Sequence, residues 1–199
     1  MGILQCLLAA VVIHSFGAPS GSIRFEGNPI HEARFKAWLT EMAAMESGRK
    51  LVDDILRTGH SVVVTHNPIA CEYGGLSRHE LSSASMDGVG VDIEIILDMN
   101  MPDTGTQFVS DRDGGWVEFT AVQVIFHELV HARFAVQGKA QYNDEGAAIM
   151  AENEFRREQY AARGVADAPQ RYGIEDSQRR VPSCPCPPIP GTENESGKW

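Results

Sequence analysis

The pattern of hydrophobic and polar residues indicates where the helices lie, most clearly in Thr120–Gly138. Thr is favoured as the residue that caps the start of a helix, and Gly as the left-handed residue that ends one. Between these ends, apolar residues recur at the i, i+3, i+4, i+7 and i+8 spacing of a single helical face. This core-facing stripe consists of Val122, Ile125, Phe126, Leu129 and Val130. The pattern therefore predicts one capped helix with one packed face.

Shorter patterns predict the other elements. Alternating apolar and β-branched residues predict strands at Ser22–Gly27, Ser61–Thr65 and Val91–Leu97. Helical spacing predicts three more segments: His31–Met45, Lys50–Leu56 after a break at Ser47–Gly48, and Asp144–Arg163. Two polar stretches predict long loops, Asn67–Gly90 and Asp98–Gly115. The predicted fold class is α+β, with a small mixed sheet packed on the 120–138 helix and on the helix that follows it.

The chain divides into three predicted regions. Residues 1–20 are almost wholly apolar between Ile3 and Phe16, with small residues after them. This stretch is shorter than the roughly 20 residues that span a bilayer and is typical of a secretory signal peptide. The alternative is an apolar first element of the mature fold. Residues 21–175 form the predicted domain, and residues 176–199, which contain a Pro-rich run, are predicted to be disordered.

The composition indicates the size of the fold and excludes one class of partner. The 199 residues, 43% of them hydrophobic, are enough for one domain with a packed core. The net charge of −10 argues against a nucleic-acid phosphate backbone as partner, because a basic stripe is missing. We expect a secreted monomer whose mature form has no membrane segment. If Cys6 leaves with the signal peptide, Cys71 can pair with Cys184 or Cys186 in an oxidising compartment.

Candidate chemistry lies on the 120–138 helix. His127 and His131 are one turn apart, away from the apolar stripe, with Glu128 between them. This is the His-Glu-x-x-His pattern of zinc peptidases, in which both imidazoles reach one ion at about 2 Å. Glu128 is then placed to accept a proton from water rather than to bind metal. The alternative is a core helix that carries histidines without a metal, although many chance matches would fall in loops or on polar faces.

Zinc held by two histidines requires a third protein ligand. Glu145 and Glu152 are seven residues apart on one face of the next predicted helix, and Asp144 precedes them. We prefer Glu145, fourteen residues after His131, because it lies at the mouth of that helix beside small residues. Glu152 and Asp144 stay open as alternatives. Three lone histidines in or near the first loop are weaker candidates: His60, His66 and His79.

Several motifs occur in a fixed order around these residues. The chain reads His-Glu-Leu-Val-His-Ala at 127–132, Asp-Glu-Gly-Ala-Ala-Ile at 144–149, Glu-Asn-x-x-Arg-x-Glu at 152–158 and Gln-Arg-Tyr at 170–172. This order resembles the effector metallopeptidases of bacterial type III secretion and related modules at the ends of polymorphic toxins. The resemblance covers roughly residues 22–174, and its most specific part is the Glu-Asn-x-x-Arg element.

The resemblance implies a zincin-like zinc endopeptidase, since members of that family cut proteins and some cut host signalling kinases. It matches Asp144–Glu145 to an acidic pair, which supports Glu145 as the ligand. Asn153 and Arg156 are candidates to orient the ligands from behind. Tyr172 is a candidate donor to the oxyanion of a tetrahedral intermediate. Buried structural hydrogen bonding is the alternative role for these three residues.

The sequence thus predicts a zinc-dependent endopeptidase that acts on proteins or peptides, as a secreted effector or toxin directed at host proteins. One Zn²⁺ is held by His127, His131 and Glu145, with Glu128 as the catalytic base. The first alternative is a secreted binding or effector protein with a structural or inactive metal site. The second is an aspzincin with Asp144 as ligand, but the Gly-Thr-x-Asp element of that family is missing.

Overall fold

The structure, a computed structural model, describes residues 21–67, 75–78, 83–105, 107–140, 145–172 and 178–180. Several sequence predictions fall outside these ranges: the signal peptide, the cysteine pairing, the roles of His79 and Asp144, and most of the tail. Across the described ranges, none of the helices combines the length and the apolar character needed to cross a membrane.

The first sheet starts from a parallel pair of strands whose connection contains two helices. The order is β1 (Ser22–Glu26), α1 (Pro29–Ala43), α2 (Glu46–Leu56) and β2 (Ser61–His66). Parallel neighbours need such a crossover connection, and β1 and β2 pair in register from Ser22 opposite Ser61 onward. Val62 and Val64 of β2 are fully buried. The two predicted strands are confirmed.

The break between α1 and α2 lies earlier than the sequence predicts. Because α2 begins at Glu46, Ser47 and Gly48 belong to its first turn and do not interrupt the helix. Gly48 is buried against the end of α1, where a Cβ would overlap the carbonyl oxygen of Met42. The glycine therefore allows two helices to approach closely, and the prediction that it breaks the helix is wrong.

Two further strands complete the first sheet. They are β3 (Gly75–Arg78) and β4 (Ile93–Leu97), with the short helix α3 (Ser83–Met86) between them. The strand order is β1-β2-β4-β3, in which β4 is parallel to β2 and β3 is antiparallel to β4. The predicted strand at β4 is confirmed. The segment Asn67–Gly90, predicted as one loop, contains β3 and α3, so that prediction is wrong for these residues.

A second, antiparallel sheet lies before and after the metal-motif helix in sequence. It contains β5 (Gln107–Ser110), β6 (Trp116–Glu118) and β7 (Gln178–Arg180), in the order β6-β5-β7. Its first strand falls within the predicted loop Asp98–Gly115, and its last falls within the predicted disordered tail. The loop prediction is wrong at β5, whereas the disorder of the tail stays a prediction. β7 pairs with β5 across about 70 residues of sequence, too far apart for a local pattern to show.

The central helix α4 (Ala121–Val136) has the predicted ends. Thr120 and Gln123 form a capping box, and Gly138 takes a left-handed φ of 66° just after the helix. The sequence predicts one packed face, but α4 is buried on nearly every side, because α1, α2, the first sheet and α5 all contact it. Its described half-buried side chains include Glu128 and His131.

The last helix, α5 (Glu145–Ala162), packs against α4. The rings of Phe126 and Phe155 stack at 4.4 Å between centroids, and both are buried. A buried hydrogen bond of 2.8 Å joins Gln123 of α4 to Gln159 of α5. These contacts fix the two helices against each other. The α+β class is therefore confirmed, with a small sheet of parallel and antiparallel strands, whereas likeness to the zincin fold stays a prediction.

Candidate metal centre

The two histidines of α4 direct their outer nitrogens at the same point. His127 and His131 are four residues apart, so one turn of helix places their side chains on the same side. Their Nε2 atoms lie 3.1 Å apart, with the rings at 73° to each other. His127 is almost completely buried, whereas the side chain of His131 is 15% exposed. His131 is therefore the outer of the two histidines and His127 the inner one.

Glu145, the first residue of α5, brings a carboxylate to the same point. Its Oε2 lies 3.2 Å from Nε2 of His127 and 3.1 Å from Nε2 of His131. Within the described residues this is the group of His, Cys, Asp and Glu side chains that could hold a metal ion. The structure thus brings together the three residues that the sequence singles out as ligands.

The donor set fits a small divalent ion. In a tetrahedral zinc site with bonds of about 2.0–2.1 Å, neighbouring donor atoms lie about 3.3 Å apart. The three distances observed here are 3.1, 3.1 and 3.2 Å. Lone pairs this close repel one another unless a proton or a metal ion lies between them. Imidazole nitrogen and carboxylate oxygen are ligands that zinc accepts.

Glu152, the alternative third ligand, lies on the other side of His127. Its Oε2 is 3.2 Å from Nδ1 of His127, and its side chain is fully buried. A hydrogen bond from Nδ1–H to this carboxylate leaves the Nε2 lone pair of His127 facing Glu145 and His131. Glu152 therefore orients a candidate ligand and is not one of the three converging donors.

Two arginines neutralise the buried carboxylate of Glu152. Arg156, one turn further along α5, donates from Nε and Nη2 to its Oε1, at 3.0 and 2.9 Å. Arg171 donates from Nη1 to its Oε2 at 3.0 Å. Both arginines are buried. The expectation that Arg156 orients the ligands from behind fits this arrangement, since it holds the carboxylate that contacts His127.

Arg171 also reaches Glu145, a contact that the sequence does not predict. Its Nη2 donates to Oε1 of Glu145 at 2.8 Å. Asn153 fixes the main chain of Arg171 with two hydrogen bonds, accepting from its N–H at 2.7 Å and donating to its carbonyl at 2.9 Å. The available sequence signal was the resemblance of residues 170–172 to a family motif, which assigned Arg171 no role.

The electrostatics of the site favour a cation. Burial lowers the pKa of His127, but hydrogen bonds to Glu145 and Glu152 and the nearby charge of Glu128 raise it by more, so it lies above its ordinary value. Burial raises the pKa of Glu145, but its contacts with the two histidines and Arg171 bring it far below the ordinary range. The carboxylates of Glu128, Glu145 and Glu152 outnumber the guanidinium groups of Arg156 and Arg171, so the group carries a formal charge of −1 when the imidazoles are neutral, and this negative charge attracts a cation.

The other predicted residues are placed as follows. Glu128 is half-buried on α4, near enough for its charge to raise the pKa of His127. The side chain of Tyr172 is 62% exposed, and its main chain is bonded to Ser110 of β5. Its oxyanion role stays a hypothesis. His60 contacts the main-chain carbonyl of Val89 and the carboxylate of Asp92, and His66 contacts the main-chain carbonyl of Leu97. Neither histidine belongs to the three-residue group.

Comparisons with known proteins add no assignment: the chain matches no family model and no curated protein. The resemblance to effector metallopeptidases therefore stays a prediction from the motifs. The structure shows a group of two histidines and one glutamate that could hold a metal ion, and buried charged residues contact this group.

Proposed function

We propose that this protein is a zinc-dependent metallopeptidase that hydrolyses peptide bonds in protein substrates. The observation that carries the proposal is the convergence of three donor atoms within 3.2 Å of one another, with Glu128 next to the first of them in sequence. Among the described residues, the group provides three protein ligands. Catalytic zinc sites use three protein ligands and keep one position for water, whereas structural zinc sites use four.

The residues of the site divide the chemistry between them. When bound by His127, His131 and Glu145, a zinc ion would lower the pKa of water and polarise the substrate carbonyl. Glu128 accepts the proton as the water oxygen bonds to the carbonyl carbon, and it gives that proton to the amine nitrogen as the C–N bond breaks. Glu152 keeps His127 in the tautomer that leaves Nε2 unprotonated.

The edge of the first sheet offers a place for the substrate backbone. Within the described strands, β3 is the last in the order β1-β2-β4-β3, and α4 packs against both β3 and β4. An extended peptide can add to such an edge through main-chain hydrogen bonds. We propose that the substrate lies along β3, where main-chain hydrogen bonds would hold it next to the strand that packs against α4.

Metal analysis combined with a cleavage assay tests the proposed function. Purified wild type is expected to contain about one zinc per chain and to cleave members of a whole-proteome extract. Glu128→Gln is expected to keep the zinc and lose almost all cleavage. Glu154→Gln, on the exposed face of α5, serves as the matched control and is expected to retain both. Full cleavage by the Glu128 variant would remove the proposal.

A metal-binding protein without hydrolytic activity is the alternative. It predicts bound zinc, a fourth protein ligand visible by X-ray absorption, and no cleavage of any protein in the extract.

We also propose export as an effector or toxin that acts on host proteins, supported by the apolar segment before residue 21 and by the family resemblance. Sequencing the N-terminus of secreted material tests export, and an intact Met1 would count against cleavage of a signal.

A further inference from the structure

Arg171 connects two carboxylates that lie on opposite sides of the His127 ring. Through Nη1 it contacts Oε2 of Glu152, which faces Nδ1 of His127, and through Nη2 it contacts Oε1 of Glu145, whose Oε2 faces Nε2. One planar guanidinium thus fixes the partner of each ring nitrogen. The loop that follows α5 supplies it, held in place by Asn153.

The contacts of Arg171 with Glu145 and Glu152 form a bridge, and because this bridge is buried its side chains have few alternative positions. The side chain of Arg171 is 1% exposed and that of Glu152 is not exposed at all. Away from water, a charge-assisted hydrogen bond is stronger, and an alternative position for the guanidinium would leave charges unpaired. The third donor of Arg171, Nε, is buried and has no hydrogen-bond partner within the described part of the chain. The hydrogen bonds of the guanidinium therefore come from its two outer nitrogens, and its carbon lies 5.5 Å from the centre of the Phe119 ring.

The bridge leaves Glu145 with one oxygen for a metal. Its Oε1 accepts from Arg171 at 2.8 Å, and only Oε2 lies beside the two histidines. On the basis of the proposed function, we propose that Arg171 is a positioning residue that restricts Glu145 to a single metal-binding oxygen and thereby sets the affinity and the metal preference of the site. Three fixed donors suit four-coordinate zinc, whereas Mn²⁺ favours octahedral sites with more oxygen ligands.

Arg171→Lys separates geometry from charge. Lysine keeps the positive charge but is a point donor that cannot span two carboxylates as the guanidinium fork does. We expect the Kd for Zn²⁺, measured by competition with a chromophoric chelator, to rise roughly 10- to 100-fold, as when other groups behind a metal ligand are changed. The Kd for Mn²⁺ is expected to rise by a smaller factor, because Glu145 regains a second oxygen.

The spectrum of the Co²⁺-loaded protein supplies a readout that a general loss of stability would not produce. Wild type is expected to show the intense visible bands of a four-coordinate ion, and Arg171→Lys the weaker bands of a higher coordination number. Arg163→Lys, at an exposed position just after α5, is the matched control and should leave both spectrum and affinity unchanged. Thermal unfolding of each metal-free protein shows that the variants are folded.

A second variant covers the case in which Arg171→Lys does not fold. Asn153→Ala removes both hydrogen bonds that hold the Arg171 main chain but leaves every buried charge in place. It should weaken zinc binding in the same direction by a smaller factor. A zinc Kd and cobalt spectrum equal to wild type in the folded variant would overturn the inference. Wild type that binds no zinc would overturn the proposed function as well, whereas zinc binding without hydrolysis would overturn only the proposed function.

Discussion

At His127, the two ring nitrogens have different roles because they face different partners. Nδ1 faces the fully buried Glu152, and Nε2 faces Glu145 and His131. The first contact selects the tautomer, and the second presents the lone pair to a metal. The residue type alone indicates a ligand, but only the buried carboxylate behind the ring shows which nitrogen is available.

Replacement of Glu145 by alanine is expected to affect zinc binding, whereas replacement of Glu152 is expected to affect the stability of the fold. Glu145→Ala removes one of three converging donors, so it should lose zinc while keeping the fold. Glu152→Ala leaves the buried guanidinium of Arg156 without a carboxylate and removes one of the two that contact Arg171, which costs about 3–5 kcal/mol of unfolding free energy. Zinc titration and chemical denaturation of both variants check this. Stronger loss of zinc in a folded Glu152→Ala protein than in Glu145→Ala would contradict the assignment of the ligand.

Asp103, which is not part of the metal group, provides a pH-dependent contribution to stability. It accepts from Arg34 at 2.9 Å and from Trp38 at 2.8 Å, and the Arg34 hydrogen bond holds its pKa below the ordinary value. A depressed carboxyl pKa stabilises the fold above the unfolded pKa, and this contribution disappears as the pH falls through the folded pKa. Its side chain is 69% exposed, so the effect is small.

Asp103→Asn should therefore lower the unfolding free energy by about 0.5–1 kcal/mol at pH 7. The difference from wild type should shrink as the pH falls below about 4, where the carboxyl of the unfolded chain binds a proton, and it should be lost once the folded carboxyl is protonated at still lower pH. Urea denaturation at pH 7 and at pH 3 measures both values. A difference that grows toward acid pH would show that the Arg34 and Trp38 contacts do not act through the ionised carboxylate.

At the scale of elements, local patterns are enough to predict the helices that carry the site. The capping residue, the apolar spacing and the final glycine all lie within the 120–138 segment, so the bounds of α4 follow from sequence. The strands β3 and β5 have only four residues each, and neither shows a long alternating pattern. Such short strands are defined by their partners, and for β5 the partners are β6 and the distant β7.

Gly48 tests whether the α1–α2 contact depends on a missing side chain. Gly48→Ala would force a Cβ against the carbonyl oxygen of Met42, and overpacking of this kind costs about 1–3 kcal/mol. Gly146→Ala in α5 is the control, because a Cβ there meets nothing within 4 Å. That change should leave stability equal or raise it by up to about 1 kcal/mol. Equal melting temperatures for the two variants would argue against a tight contact at Gly48.

At the scale of the whole molecule, the site depends on segments that are distant in sequence. The metal group combines α4 with α5, and Arg171, in the loop 40 residues after His131, contacts the carboxylates of Glu152 and Glu145, which face the two ring nitrogens of His127. Sequence spacing led to Glu145 because that residue opens the next helix. It could not assign Arg171, since an arginine in a loop shows its partner only after the chain has folded back along α5.

Because the candidate ligands lie on different elements, bound metal should stabilise the entire fold. An ion that binds only the native state at a free concentration of 100 times its Kd adds about 2.7 kcal/mol to the unfolding free energy. For a domain of this size, that corresponds to a melting temperature higher by about 5–10 °C. We expect wild type to melt lower in a chelator and to regain the difference when zinc is added in excess.

Glu145→Ala separates this effect from unspecific binding of zinc to the acidic surface, where the net charge is −10. The variant should melt at the same temperature with chelator and with zinc, because two histidines without the carboxylate hold the ion weakly. If wild type and Glu145→Ala gain equally from zinc, the ion acts elsewhere on the surface. If wild type gains nothing, the convergence of His127, His131 and Glu145 is held by a shared proton and the hydrogen bonds of Arg171, and the three side chains do not act as a metal site.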